Sequence, residues 1–286
     1  MAPYTENCYS RVLLFWAKQQ APLYRRLSKN VLREVSAYLA TLFMIAVFNR
    51  YLNIFTKSRA QHKLEQRFSS GTIFIRIDVE TVLCVGGFPP ISQAFTLNLS
   101  HRGIRDLPEM RVERCLSGAA KAGLYVYVFG SYPGSTACEK FALREERWSD
   151  LPNMTTAKYA FSPVLYQQTF YLPDVFRSPQ LEVFSLSSET FSILNVQLPV
   201  LSGFSVAFLD EDKLVIVACS GRMASWRLGS SESFEVAPCE LPSKIAAVSN
   251  SPPVRLGKSI FWVQNNTGVL TRFRFPNTVS EIAFYA

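Results

Sequence analysis

Residues 138–154 read CEKFALREERWSDLPNM, and the fold is read outward from this stretch. It holds an apolar strand-like start, a charged turn at Arg144-Glu145-Glu146, a tryptophan at Trp148 and the dipeptide Leu151-Pro152. The dipeptide recurs at Leu107-Pro108, Leu198-Pro199 and Leu241-Pro242, at steps of 44, 47 and 43 residues. A chain that repeats every forty-odd residues is an array of one supersecondary unit.

Five units align on that marker and share one grammar. From about Gly71 come TIFIRID, TVLCVGG, AFTLNL and IRDLPEM, and from about Cys115 come CLSGAAKAG, LYVYVFG, CEKFALREERW and SDLPNM. Units from about Tyr159, Ser202 and Ile245 repeat the sequence of four short segments. The segments are rich in Val, Ile, Phe and Tyr and end in Gly, Ser, Asn, Asp or Pro, the pattern of antiparallel strands joined by tight turns. KLVIVA and LYVYVFG are too short and too β-branched for helices. Four strands per repeat at this period predict an all-β propeller. A sixth unit is expected at about 41–70, from LFMIAVFN, YLNIFTKS and HKLEQRF. The expectation is therefore six four-stranded blades, with five as the alternative, spanning 41–286 and preceded by a short basic helical segment, 1–40.

The chain resembles kelch repeats over about 71–286, with the specific motifs confined to roughly 82–154. Asp106-Leu107-Pro108-Glu109-Met110 and Asp150-Leu151-Pro152-Asn153-Met154 look like the end of such a repeat, and Gly86-Gly87 after TVLCV resembles its double glycine. Phe141 and Trp148, seven residues apart, match the family's aromatic pair, as do Phe184 and Phe191. The resemblance implies glycines at a sharp turn beside the second strand and aromatics packed between strands of one blade. The second unit carries Gly130-Ser131 where the family has two glycines, and the later units lose most of the signature.

Charge and cysteine usage narrow the function. Residues 1–70 hold 11 Lys/Arg against 3 Asp/Glu, and residues 71–286 hold 19 of each, so the net +8 belongs wholly to the N-terminal quarter. The repeat region has no global reason to seek phosphate, and no nucleic-acid partner is expected. Cys8, Cys84, Cys115, Cys138, Cys219 and Cys239 form no CxxC pair, and His62 and His101 are the only histidines. Neither zinc nor any other metal is expected, and the cysteines are expected to be reduced. Some kelch-type propellers carry a copper oxidase built on Tyr and His; two histidines in separate segments nearly exclude that activity here. The start shows no secretory pattern, and the longest uncharged apolar run, Val35–Phe48, is too short to span a bilayer. A cytoplasmic protein without stable membrane insertion follows as the expectation, with the sequons at Asn98, Asn153 and Asn265 as chance matches.

No enzyme or cofactor is expected. Phosphate-binding glycine loops and a nucleophile elbow are missing. The acidic clusters Glu145-Glu146, Asp210-Glu211-Asp212 and Glu232 with Glu235 fall at predicted turns, where charge serves solvation. Two partner-binding regions remain. One is the set of longer, proline-bearing connections Phe88–Gln93, Tyr132–Ala137 and Asp174–Pro179, which suit a protein–protein interaction scaffold. The other is the helical spacing of Leu27, Val31, Leu32, Val35, Tyr38 and Leu39. The stretch Leu27–Leu39 looks like the first helix of an F-box. That resemblance implies a substrate adaptor of a ubiquitin ligase; the alternative is a helix that caps the propeller.

Overall fold

The computed structural model describes residues 71–78, 81–98, 103–175, 178–201, 205–218 and 222–238 with their side chains. It describes 47–48, 51–55, 61–67, 254–256, 259–263, 270–274 and 278–282 as strand backbone. The segment 1–40, its boundary and the helix Leu27–Leu39 lie outside the described residues. So do His101, Cys8, Cys219 and Cys239.

Every described element is a strand. β1 (Val47–Phe48), β2 (Tyr51–Phe55) and β3 (Gln61–Arg67) form a three-stranded sheet in that order. Four four-stranded sheets follow. Blade 1 holds β4 (Ile73–Arg76), β5 (Thr81–Val85), β6 (Ala94–Asn98) and β7 (Ile104–Asp106). Blade 2 holds β8 (Gly118–Ala122), β9 (Tyr125–Ser131), β10 (Ser135–Ala142) and β11 (Arg147–Leu151). Blade 3 holds β12 (Val164–Tyr166), β13 (Thr169–Leu172), β14 (Gln180–Ser185) and β15 (Thr190–Gln197). Blade 4 holds β16 (Ser205–Asp210), β17 (Lys213–Ala218), β18 (Arg222–Arg227) and β19 (Glu235–Pro238). A last sheet holds β20 (Val254–Leu256), β21 (Ser259–Val263), β22 (Leu270–Arg274) and β23 (Thr278–Ile282). Each sheet is a simple antiparallel meander.

The first strands β4, β8, β12 and β16 lie side by side, which sets the four blades in a propeller arrangement. The expectation of six four-stranded blades, or five, is corrected to four among the residues described with their side chains. The segment read as a sixth unit makes the three strands expected from LFMIAVFN, YLNIFTKS and HKLEQRF, one short of a four-stranded blade. Strand grammar counts segments able to pair. Which sheets stand face to face depends on side chains interlocking between them, and that stacking is seen for blades 1 to 4.

The stacking explains the near-continuous apolar strands. A strand buried on both faces has no polar side to alternate with. In β9, Val126 and Val128 join Ile73, Leu83 and Val85 of blade 1, while Tyr127 and Phe129 join Phe170 and Phe184 of blade 3. Ala207, Leu214 and Trp226 of blade 4 pack with Leu181 and Leu198 of blade 3. Phe141 and Trp148 are directly opposite on β10 and β11, with ring centroids 4.8 Å apart, and Phe184 with Phe191 repeats this at 4.7 Å. Trp148 also donates its indole N–H to the Pro108 carbonyl at 2.8 Å, so the Leu-Pro marker receives the next blade's aromatic.

Turns keep the period as well. The hairpins after β8, β12 and β16 are the two-residue loops 123–124, 167–168 and 211–212, each 44 residues after the last, and each opens on a positive φ at Gly123, Gln167 and Glu211. Asp210-Glu211-Asp212 is thus the solvated turn its sequence predicts.

Candidate functional site

In a meander, the connection from second to third strand and the connection to the next blade emerge at the same end. That end carries the features with no evident role in the core, and in blades 1 and 2 it repeats at a period of 44.

The floor of this end is a buried ionic clamp. Arg114 precedes β8, and its carbonyl accepts bonds from Gly87 N (2.9 Å) and Ile91 N (3.4 Å) of blade 1. Its side chain, fully buried, runs under blade 2. There Nε and Nη2 bond Glu139 Oε2 at 3.1 and 2.8 Å, and Nη1 bonds the Gly130 and Ala137 carbonyls at 2.8 and 2.9 Å. Glu139, 1% exposed, also accepts from Arg111 N at 2.8 Å. Lys158, 44 residues on, bonds Ser135 of blade 2 through its backbone and turns its side chain to Glu182 of blade 3. Glu182 accepts from Thr155 N and Thr156 Oγ1.

The two clamps differ in quality. Arg114 fills its acceptors with a planar fork, whereas a lysine offers a point charge on a thinner stem. Lys158 Nζ stands 3.6 Å from Glu182 Oε2, an ion pair longer than a hydrogen bond, and is a buried donor with no hydrogen-bond acceptor among the described residues. Burial lowers the Lys158 pKa, and the charges of Glu182 and of buried Asp174 oppose that shift in part.

The glycines belong to this floor. Gly86 and Gly130 both have φ +65°, and a Cβ on either would overlap the carbonyl oxygen of Arg114 or Lys158 respectively. Close approach of backbone to backbone demands glycine there. At the next position blade 1 has Gly87 and blade 2 has Ser131, whose hydroxyl oxygen accepts from Cys115 N at 2.9 Å.

Above the floor stand aromatic rings. Phe88 is 53% exposed and Tyr132, its counterpart 44 residues on, 38% exposed. Their centroids are 6.3 Å apart across the blade boundary. Half-buried Tyr159 meets Tyr132 edge-on at 5.1 Å. Both Phe88 and Tyr132 precede a proline through a cis peptide bond. Of the three connections expected to carry a partner, the structure brings Phe88–Gln93 and Tyr132–Ala137 together, with β10 starting inside the latter at Ser135. Asp174–Pro179 leaves blade 3 at the corresponding place, and its aromatic, Phe176, lies outside the described residues.

The signature residues Gly86, Gly87, Leu107, Pro108, Gly130, Phe141, Trp148, Leu151 and Pro152 fall in blades 1 and 2. Leu107, Phe141, Trp148 and Leu151 are buried. The acidic clusters lie elsewhere: Glu146, in the hairpin between β10 and β11, takes a two-pronged bond from Arg105 at 2.6 and 2.8 Å, which holds its pKa below the ordinary value. Asp212 pairs with Arg227 at 3.4 Å. Cys84, Cys115 and Cys138 are free, buried thiols. Burial raises Cys84 well above its ordinary value, Cys115 to about 11 and Cys138 to about 12. They are neutral thiols at physiological pH and poor nucleophiles. Among the described residues no group of three His, Cys, Asp or Glu could hold a metal. No described helix is long and apolar enough to cross a membrane.

The clamp escaped the sequence reading. Its signal is present: Gly-[Gly/Ser]-[Phe/Tyr]-Pro at 86 and 130, and Leu-Pro-x-Met-x-x-x-[Arg/Lys] ending at 114 and 158. No protein-family model matches the chain, and no curated protein matches it.

Proposed function

We propose that this chain is a non-enzymatic protein-binding scaffold whose partner docks on the loop end of blades 1 and 2. The observation that carries this reading is the exposed pair Phe88 and Tyr132, touching across a blade boundary beside Tyr159. Large rings held at a surface are the anchors that dominate protein interfaces. The buried clamp holds the two loops at a set separation, so the rings need little ordering on binding, and preorganisation favours affinity. The carboxylates and thiols offer less: Glu146 and Asp212 are engaged with arginines, and the described thiols are buried and protonated.

The test is a pull-down with the intact chain against a Phe88→Ala/Tyr132→Ala variant. The variant should keep its melting temperature and lose the recovered partner. An unchanged set of recovered proteins would sink the reading. A ligase-adaptor role rests on the F-box-like stretch Leu27–Leu39 alone; deleting 1–40 should then leave a folded propeller and abolish binding to a ligase core subunit.

A further inference from the structure

The face that carries Phe88 and Tyr132 also carries carboxylates that form no ion pair among the described residues. Exposed Glu109 is bonded by the Ser92 hydroxyl at 2.7 Å, in the same loop as Phe88. Exposed Glu113 directly precedes Arg114, whose carbonyl is bonded to Gly87 N, the neighbour of Phe88. The nearby cations are already committed: Arg114 is buried on Glu139, and Arg111 pairs with Asp150. Among the described residues the charge left at this end is negative, set among aromatic faces.

We propose that the guest of this face is an arginine-bearing extended segment of a partner protein, with guanidinium groups stacked on Phe88 and Tyr132 and paired with Glu109 and Glu113. This rests on the docking face proposed above. A guanidinium is planar, weakly hydrated and permanently charged, so it can lie on a ring face and still bond a carboxylate edge-on. The ring quadrupole and a carboxylate attract it together. A proline-rich segment would also suit aromatic rings, but it gains nothing from two unpaired carboxylates.

The test uses fluorescein-labelled peptides and fluorescence anisotropy on the full chain. The probes are a heptapeptide of alternating glycine and arginine, its lysine counterpart and a decaproline. The arginine peptide should bind saturably, the lysine peptide more weakly and decaproline not at all. Glu109→Gln/Glu113→Gln should weaken the arginine peptide by about tenfold, the factor that corresponds to about 1.4 kcal/mol. Glu145→Gln, at the opposite end of blade 2, should change nothing. Equal binding to the Glu109→Gln/Glu113→Gln variant, a preference for decaproline, or no saturable binding of the arginine peptide would each overturn the proposal. If Phe88→Ala/Tyr132→Ala still loses the pulled-down partner in those cases, the docking face stands and only the guest chemistry falls. If that variant keeps its partner, both fall.

Discussion

Glu139→Ala tests whether the ionic clamp holds blade 1 to blade 2. The substitution removes the carboxylate from Arg114 Nε and Nη2 and from Arg111 N, three bonds at 2.8–3.1 Å in a site with exposures of 0% and 1%. Arg114 keeps its two bonds to the Gly130 and Ala137 carbonyls, so it is not stripped bare. It is nevertheless left as a buried, unbalanced charge that cannot lose its proton. Breaking one side of a buried pair costs about 3–5 kcal/mol. That is a large part of the roughly 5–15 kcal/mol by which domains are stable. The assay is urea unfolding followed by tryptophan fluorescence and far-UV circular dichroism. Agreement between the two signals is needed before a single free energy is assigned. Glu182→Ala is the internal comparison. Lys158 already has a lowered pKa, and once its partner is gone it can shed its proton, so that variant should lose distinctly less. A Glu139→Ala loss under about 1 kcal/mol, the range of surface pairs, would refute the clamp. So would a Glu182→Ala loss as large as that of Glu139→Ala.

Further tests follow from the same geometry. Lys158 has a lower pKa folded than unfolded, so between the lowered value and the ordinary 10.5 the unfolded chain binds more protons, and this residue's contribution to stability rises with pH. The buried thiols act in the opposite direction above about pH 8.5. The stability difference between wild type and Lys158→Met should therefore grow in favour of wild type as pH rises toward 10.5; a constant difference contradicts the shift. Trp148→Ala should cost about 3–5 kcal/mol in the same urea titration, since the ring is 5% exposed and its N–H is bonded. A loss under about 0.5 kcal/mol would place the ring at the surface. Iodoacetamide at pH 8, read by peptide mass mapping, should leave Cys84, Cys115 and Cys138 unmodified until urea is added; rapid native labelling of Cys138 would contradict its burial. Gly130→Ala should destabilise more than Gly123→Ala, because only the former meets a backbone oxygen within van der Waals reach.

Much of the architecture is local chemistry, and local chemistry is legible in a sequence. KLVIVA became β17, LYVYVFG became β9, and the turn at Asp210-Glu211-Asp212 fell where its residues demand. The pairing of Phe141 with Trp148 was implied by the resemblance to kelch repeats, and the structure sets the two rings opposite each other. Arg114 and Glu139 were not visible as partners. They lie 25 residues apart, and each alone reads as an ordinary surface charge; only the approach of two sheets removes their water and joins them. Phe88 and Tyr132 were placed on loops by the sequence, but their contact across two blades is a property of the stacking.

The sequence by itself determined the unit: four short strands, their turns and the period that repeats them. Each of these depends on a residue and its near neighbours along the chain. Tertiary structure alone decided how many units stand face to face, which charges are buried between them, and which aromatics remain outside. Those outcomes depend on side chains from different repeats competing for the same space, and no single repeat contains that information.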